Sequence, residues 1–364
     1  MRWLRGDWNA ESLNISCWAY RDVNRNGVYD VGDRSWVGLR VELDRPDGSV
    51  VASESNRSGF ANFKMGRRGD IRSAGTYRYR ALPPDGWQLT SEAALQSVAF
   101  RELPGSPVGI VAQTLCVPMG IAPRLAISGR IAADTGSGSG DAAGSGSVSL
   151  VAISSSGVRA DVAIDRDGRF ALPADAGEWR LILSRGAGNV VERTVRVADY
   201  PVVVAALSGT PPDRPPAPAT RTIGFDSLTS AGSLIEVPNG YAGLRWTNWV
   251  ATHPKVYEAA GLYNATVSGE FVAYNSSGHP ATIASGRPFD FAGTYLSVIW
   301  PGAEAREVIV RGWRGERLAH EERMRLRSTG PIWFDADWRG LTRLEFSHDA
   351  YWQVVVDDLT LRVE

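Results

Sequence analysis

The sequence predicts an all-β protein built of tandem β-sandwich domains. Three observations lead there. Short β-branched and aromatic runs recur, separated by turn formers, with 39 Gly and 20 Pro spread over 364 residues. Side chains alternate with a period of two; in "TYRYRAL", Tyr77 and Tyr79 share one face and Arg78 and Arg80 the other. Helical periodicity is scarce. The best candidate, 303–327, has the β-branched centre "EVIVRGW" and is broken by Gly312 and Gly315, so it reads as two strands and a turn.

Composition narrows the function. A net charge of −1 gives no basic face for nucleic acid. No apolar run approaches the roughly 18–20 residues that cross a bilayer as a helix. The opening "MRWLRGDWNAESLN" has charge but no apolar centre and does not read as a signal peptide.

Proline and glycine mark the joints. "GTPPDRPPAPATR" resists sheet pairing and reads as a semi-stiff spacer at 208–221. "CVPMGIAPR" closes an earlier strand-rich region. These breaks divide the chain into an N-terminal extension at 1–12, a sandwich at 13–118, a second at 125–207, the spacer, and a C-terminal domain at 222–364. The polar run at 135–147 reads as a long hairpin loop inside the second sandwich.

The first two sandwiches read as diverged copies. Each has a polar turn ending in glycine (Gly59, Gly168), then an aromatic expected to plug the core (Phe60, Phe170). Each next has a glycine two before another aromatic: Gly75 with Tyr77, Gly177 with Trp179.

The stretch "DVNRNGVYDVGD" at 22–33 has the oxygen spacing of a calcium loop: Asp22, Asn24, Asn26, Asp30 and Asp33, with Gly27 at the turn. Its flanks are not helical. Before it, Ile15, Cys17 and Ala19 alternate with Ser16, Trp18 and Tyr20. After it, Val37, Leu39, Val41 and Leu43 share a face. The loop therefore joins two strands. The alternative to a metal site is a solvated Asx-rich turn.

Strand, oxygen-rich loop, "GLRVEL" and the later "G-x-Y" strand together resemble the SdrD B-like family, relatives of the collagen-adhesin B-type fold. That resemblance implies a transthyretin/Ig-like sandwich, the first of two ahead of a jelly-roll-like one, and a structural Ca2+ held by Asp22, Asn24, Asn26, Asp30 and Asp33 and by the carbonyl of Val28. The twelfth loop position is Asp33 where such loops favour Glu, so its reach is shorter. Relatives that cross-link themselves place a lysine on the first strand. Lys64 lies after the central glycine turn, so no isopeptide bond is expected.

The second sandwich, through "SGRI", "AIDRDGRFALP" and "GEWRLILSRG", resembles the carboxypeptidase-regulatory-like family. Asp165 and Asp167 there read as a tight Asx-Gly turn rather than a metal site. The C-terminal segment, with "TIGFDSL", "NGYAGLRW", "SGEFVAYN", "FDFAGTYL" and "DDLT", resembles a jelly-roll domain of bacterial secreted and surface-sorted proteins, similar in outline to carbohydrate-binding modules.

Within that segment Asp357 falls among Val355, Leu359, Leu361 and Val363 on one strand face. A buried carboxylate needs a cation or several donors. Asp226 with Asp357 or Asp358 is a candidate second calcium pair; backbone amides at a bulge are the alternative. Seven of the 13 tryptophans also lie here. Tyr241, Trp246, Trp249 and Tyr257 cluster in a Gly/Asn/Thr-rich region and form a candidate sugar-binding surface, unless the rings are core.

No short catalytic signature is present. The four histidines lack ligand spacing, and there is no nucleophile elbow, P-loop or dinucleotide fingerprint. Cys17 and Cys116 stand near the two ends of the first sandwich, either as a disulfide or as two buried thiols. The resulting expectation is a non-enzymatic secreted or cell-surface modular protein with a structural and adhesive role, a glycan or surface-protein partner, and a C-terminal recognition domain. The alternatives are a carbohydrate-binding accessory protein and a hydrolase with dispersed carboxylates.

Overall fold

Strand Leu13–Arg21 holds the first sandwich together because it pairs on both sides. It runs parallel to Met119–Pro123 and antiparallel to Phe60–Met65. The computed structural model describes residues 13–363, apart from 67, 93, 107, 115, 133–147, 187–188, 209–214 and 232. The extension at 1–12, the loop at 135–147 and part of the proline-rich stretch lie outside the described residues. The described chain is nearly all β and divides into two compact units, Met1–Pro123 and Arg124–Glu364.

The first unit stacks two sheets. One orders Arg34–Ser35, Leu13–Arg21, Met119–Pro123 and Trp87–Leu89, with Phe60–Met65 added to the first long strand. The other orders Val50–Glu54, Arg40–Asp44, Gly75–Leu82, Leu95–Glu102 and Ile110–Ala112. Alternation decides what lies between them. Leu39, Val41, Leu43, Tyr77 and Tyr79 are buried, while Arg78 and Arg80 face water. Phe63 meets Tyr79 edge-on at 5.3 Å across the core.

Phe60 departs from the expectation that it plugs this core. It is 40% exposed, whereas Phe170 in the second sandwich is buried. The reason is parity. Phe60 follows Gly59 by one residue and Phe170 follows Gly168 by two, and one step along a strand moves a side chain to the opposite face. Phe63, three positions after Phe60, takes the core position instead.

Cys17 and Cys116 form a disulfide across a sequence separation of 99 residues. It ties the first strand to the last turn before Met119–Pro123. Closing a loop of about 100 residues stabilises a fold by roughly 4–5 kcal/mol on the chain-entropy model.

The second unit begins with a four-stranded sheet, Arg159–Val162, Val148–Ser154, Gly177–Arg185 and Asn189–Val197. Facing it, Arg169–Pro173, Ala126–Ile131 and Val202–Leu207 form a second layer that does not end at its own domain. Val202–Leu207 pairs in parallel with Ile332–His348, placing Val202 opposite Trp333 and Val204 opposite Asp335. The seam makes one 13-stranded sheet. Trp333 packs on the core of the second sandwich, and Arg193 bonds Asp335 across the join.

The proline-rich stretch thus does not separate two independent beads. "VVVAAL" is an apolar strand whose free edge would otherwise be a pairing liability, and Ile332–His348 covers it. The spacer is also shorter than its composition suggests: Ala219–Ile223 already pairs with Val354–Val363. The hairpin expected at 303–327 is present as Val308–Arg314 and Arg317–Met324.

Unit-specific bracing leads to a calorimetric prediction. Reduction, or Cys17→Ser with Cys116→Ser, is expected to lower the melting temperature of the first unit by at least ~10 °C, given about 4–8 °C per kcal/mol for a domain near this size. The second unit should melt unchanged. A first-unit transition insensitive to reduction would show that the bond does not stabilise the fold.

Candidate functional site

The oxygen-rich loop at 22–33 leaves one strand and returns into Arg34–Ser35, which pairs with the same strand. Its base is Asp22, which is 1% exposed. The Asp22 carboxylate accepts N–H bonds from Asn26 at 3.2 Å and Gly27 at 2.8 Å. Gly27 has φ +77°, and a Cβ there would come within 2.9 Å of the Thr90 carbonyl, so no other residue fits without displacement. Asp33 closes the far end by accepting from Val23 N–H at 2.9 Å and Asp30 N–H at 3.0 Å.

Inside the loop, Asn24, Asn26 and Asp30 converge. The amide nitrogens of Asn24 and Asn26 each donate to Asp30 Oδ2, at 2.9 and 2.8 Å. Their oxygens accept N–H bonds from Asn26 and Val28. The loop is therefore an Asx-turn network closed on itself. Tyr20 lies against it, and burial, followed by the charges of Asp22, Asp33 and Asp30, pushes its phenol up to about 12. Among the described residues no three His, Cys, Asp or Glu side chains gather closely enough to hold a metal alone. An ion here would depend on the Asn and carbonyl oxygens too. The donor set is of the right kind for Ca2+: all hard oxygens, with three carboxylates to offset charge.

At the C-terminal end, Asp357 is 1% exposed and satisfied by amides. Val267 N–H and Ser268 N–H donate to Oδ2 at 2.8 and 3.1 Å, and Asp358 N–H donates to Oδ1 at 2.9 Å. Asp357 thus takes the bulge alternative, and its burial calls for no cation. The register shifts between Gly293 and Tyr295 opposite it, and Asp358 adopts φ +47°. Asp226 and Asp358 do approach each other. Ser268 Oγ donates to Asp358 at 2.7 Å, and Glu270 N–H donates to Asp226 at 2.6 Å.

The aromatic residues singled out as a sugar surface are corrected by their burial. Trp246 is 4% exposed and Trp249 1%. Their indole N–H groups donate to the Tyr241 and Thr282 carbonyls, and the two rings meet edge-on at 6.1 Å. Tyr241 packs against the same core, and its hydroxyl donates to the Gly224 carbonyl. These rings fill the jelly-roll interior, because short strands at 245–252 alternate inward at both tryptophans. Tyr257 alone is exposed, and its hydroxyl lies 2.8 Å from that of Tyr274.

A different corner presents aromatic rings outward. Tyr351 and Trp352 are 63% and 36% exposed on the turn between Ile332–His348 and Val354–Val363. Buried polar side chains shape that corner. Asn275, fully buried, accepts from Val354 N–H and donates to the His279 carbonyl at 2.8 Å and the Trp352 carbonyl at 3.5 Å. His348, also buried, accepts from Ala350 N–H at 3.1 Å, and its other ring nitrogen lies 3.2 Å from the Ala303 carbonyl. Sequence reading missed this corner because "HDAYWQ" carries no periodicity. The adjacent Tyr-Trp pair in a polar turn was its only signal.

The second unit also has a cleft of about 990 Å³, lined by residues such as Arg130, Asp165, Phe170, Glu322 and Arg323. Burial raises the Glu322 carboxyl, which accepts from Ala206 N–H at 2.7 Å and lies 3.6 Å from Arg130. Its neighbour Glu321 is held by Arg311 and Arg323 at 2.7 and 2.8 Å. Both acids already have partners in the fold.

No protein-family model matches the chain, and no curated protein sequence matches it. Several solved structures are distantly similar. The Bacillus anthracis TIE protein is 12% identical with a TM-score of 0.22, over 53% of this chain and 33% of its own. A streptococcal ancillary pilin is 13% identical with a TM-score of 0.24, over 56% of this chain and 64% of its own. The CBM51-2 and INT domains of Clostridium perfringens ZmpB are 14% identical with a TM-score of 0.23, over 56% of this chain and 43% of theirs. The chain spans about a third of the first of these. Likenesses this distant have no bearing on function.

The bulge carboxylate makes a pH prediction. Burial, followed by the neighbouring Asp358, raises the Asp357 carboxyl to about 7, against the three N–H bonds that lower it. A carboxyl raised on folding holds its proton more tightly in the folded state. Its contribution to stability is present below about pH 4 and lost as pH rises through about 7. The melting temperature of the second unit should therefore fall by a few degrees over that range, and Asp357→Asn should flatten the fall. Identical pH profiles for the two proteins would refute the assignment.

Proposed function

We propose that this chain is a non-enzymatic, secreted or cell-surface modular protein with a structural and adhesive role, in which the C-terminal jelly-roll is the recognition domain. The observation that carries the reading is the Cys17–Cys116 disulfide. Such a bond persists in oxidising surroundings and is rare where thiols are kept reduced. The fused sheet of the second unit supports the same reading, since a continuous ladder suits a module that keeps its shape under load.

In this proposal the loop at 22–33 is a calcium brace. Asp22, Asn24, Asn26, Asp30 and Asp33, with the carbonyl of Val28, would hold Ca2+ and stiffen the turn. Asp226 and Asp358 are the pair that would hold a second ion, with Asp357 turned instead to the amides of Val267, Ser268 and Asp358.

Two measurements test this. Surface biotinylation of intact cells making the chain should label it, or the medium should contain it; recovery only from the cytosol would overturn the location. Saturating Ca2+ should raise the melting temperature of the first unit of the full chain by ~5–15 °C, since a ligand at 100 times its Kd stabilises by about 2.7 kcal/mol. Asp22→Ala with Asp30→Ala should abolish the calcium-dependent increment, whatever its own baseline. An increment that survives the double substitution would place the ion elsewhere.

A further inference from the structure

Three turns meet at the corner beside Trp352. They are the turns at 276–280, 300–304 and 349–353. Each is fixed by groups that water does not reach. Asn275 bonds the first and third, and His348 bonds the second and third. Asn248, at φ +63°, adds bonds to the carbonyls of Ser276, His279 and Pro280.

The first and third turns approach closely. A Cβ on Gly278 would fall 1.6 Å from the Tyr351 carbonyl oxygen, so only glycine permits the contact. Ser277 and Tyr351 have φ of +52° and +57°, left-handed values that non-glycine residues keep only when their surroundings impose them. Tyr351 is a large aromatic held at a sterically costly φ and still exposed.

Such a corner holds the backbone of its turns in place. The benzo edge of Trp352 lies over Gly302, where a Cβ would sit 3.3 Å from the ring. The His279 ring meets Tyr351 edge-on at 5.8 Å. On the same turns, Ser277, His279 and Asp349 are exposed hydrogen-bonding residues. No other large apolar side chain of these turns is exposed among the described residues. A protein partner favours anchors surrounded by contacts that exclude water. A sugar has the matching chemistry: apolar C–H faces that cover an aromatic ring, and hydroxyls that take polar neighbours.

We propose that this corner is a carbohydrate-binding site, with the exposed rings of Trp352 and Tyr351 offering stacking faces and Ser277, His279 and Asp349 as hydroxyl partners. It deepens the reading of the jelly-roll as a recognition domain and rests on it. The ligand class is a glycan that presents the apolar C–H face of a pyranose to an aromatic ring.

Affinity electrophoresis of the full chain through gels containing xylan, galactomannan, pectic galactan or glycol chitin tests the site. At least one polysaccharide should retard the chain. Trp352→Ala should weaken that retardation at least tenfold, and Trp352→Phe should retain part of it. Tyr351→Asn, which tolerates the left-handed φ, should weaken it as well, and Tyr257→Ala should not. A melting curve matching the parent's shows that each variant is folded. Retardation by none of the four, or retardation unchanged in folded Trp352→Ala, would overturn the proposal. A surface-labelled chain that no polysaccharide retards would leave the adhesive reading standing without this site. Trp352-dependent retardation of a chain found only in the cytosol would leave the site standing and remove the location.

Discussion

The second unit depends on one constraint: two very long strands, Ala281–Val298 and Ile332–His348, hydrogen-bond to each other along most of their length. Their register runs from Ala281 opposite Phe346 to Leu296 opposite Ile332. Every backbone N–H and C=O in a buried sheet needs a partner, so strands this long must be covered along both edges. Val202–Leu207 covers one stretch, Val308–Arg314 another, and Val354–Val363 and Arg245–Thr247 pair with Ala281–Val298. The register shifts near Phe289, Phe291 and Gly293 bend the ladder so that different neighbours serve its two ends. Fusion of the second sandwich to the jelly-roll follows from this need for edge partners.

Buried polar groups do the finer shaping. Asp22, Asn275, His348 and Asp357 are nearly inaccessible to water, and each takes or gives hydrogen bonds to backbone outside regular strands. In a low-dielectric interior such bonds are strong, and leaving one unmade is costly. That is why they fix turns sharply. Asp22 sets the oxygen-rich loop, Asp357 the bulge, and Asn275 with His348 the aromatic corner. At the aromatic corner, the turns that carry the exposed rings are held by buried side chains that are not themselves part of the exposed surface.

Legibility varied with how local the information was. The period-two alternation at Tyr77–Arg80 and the hairpin through 303–327 depend on neighbours in sequence, and both are in the structure. The calcium-loop spacing was visible as a pattern, because its donors lie within 12 residues of one another. Phe60 failed on a single residue of parity. Trp246 and Trp249 failed because composition around a ring does not say which face of the sheet is closed. The corner at Tyr351 and Trp352 draws on turns more than 70 residues apart, beyond the reach of any local pattern.

From the sequence alone came the all-β class, the division into strand-rich segments, the turn chemistry of the oxygen-rich loop, and two cysteines spaced to span the first sandwich. These follow from side-chain periodicity and from the conformational preferences of Gly, Pro, Asn and Asp, which act over a few residues. Tertiary structure decided that the second and third segments share a sheet, that Asp357 is satisfied by amides, and that the outward-facing rings are Tyr351 and Trp352. Each of those depends on which distant backbone supplies the partner or covers the face, and pairing between distant strands is set by the packed whole.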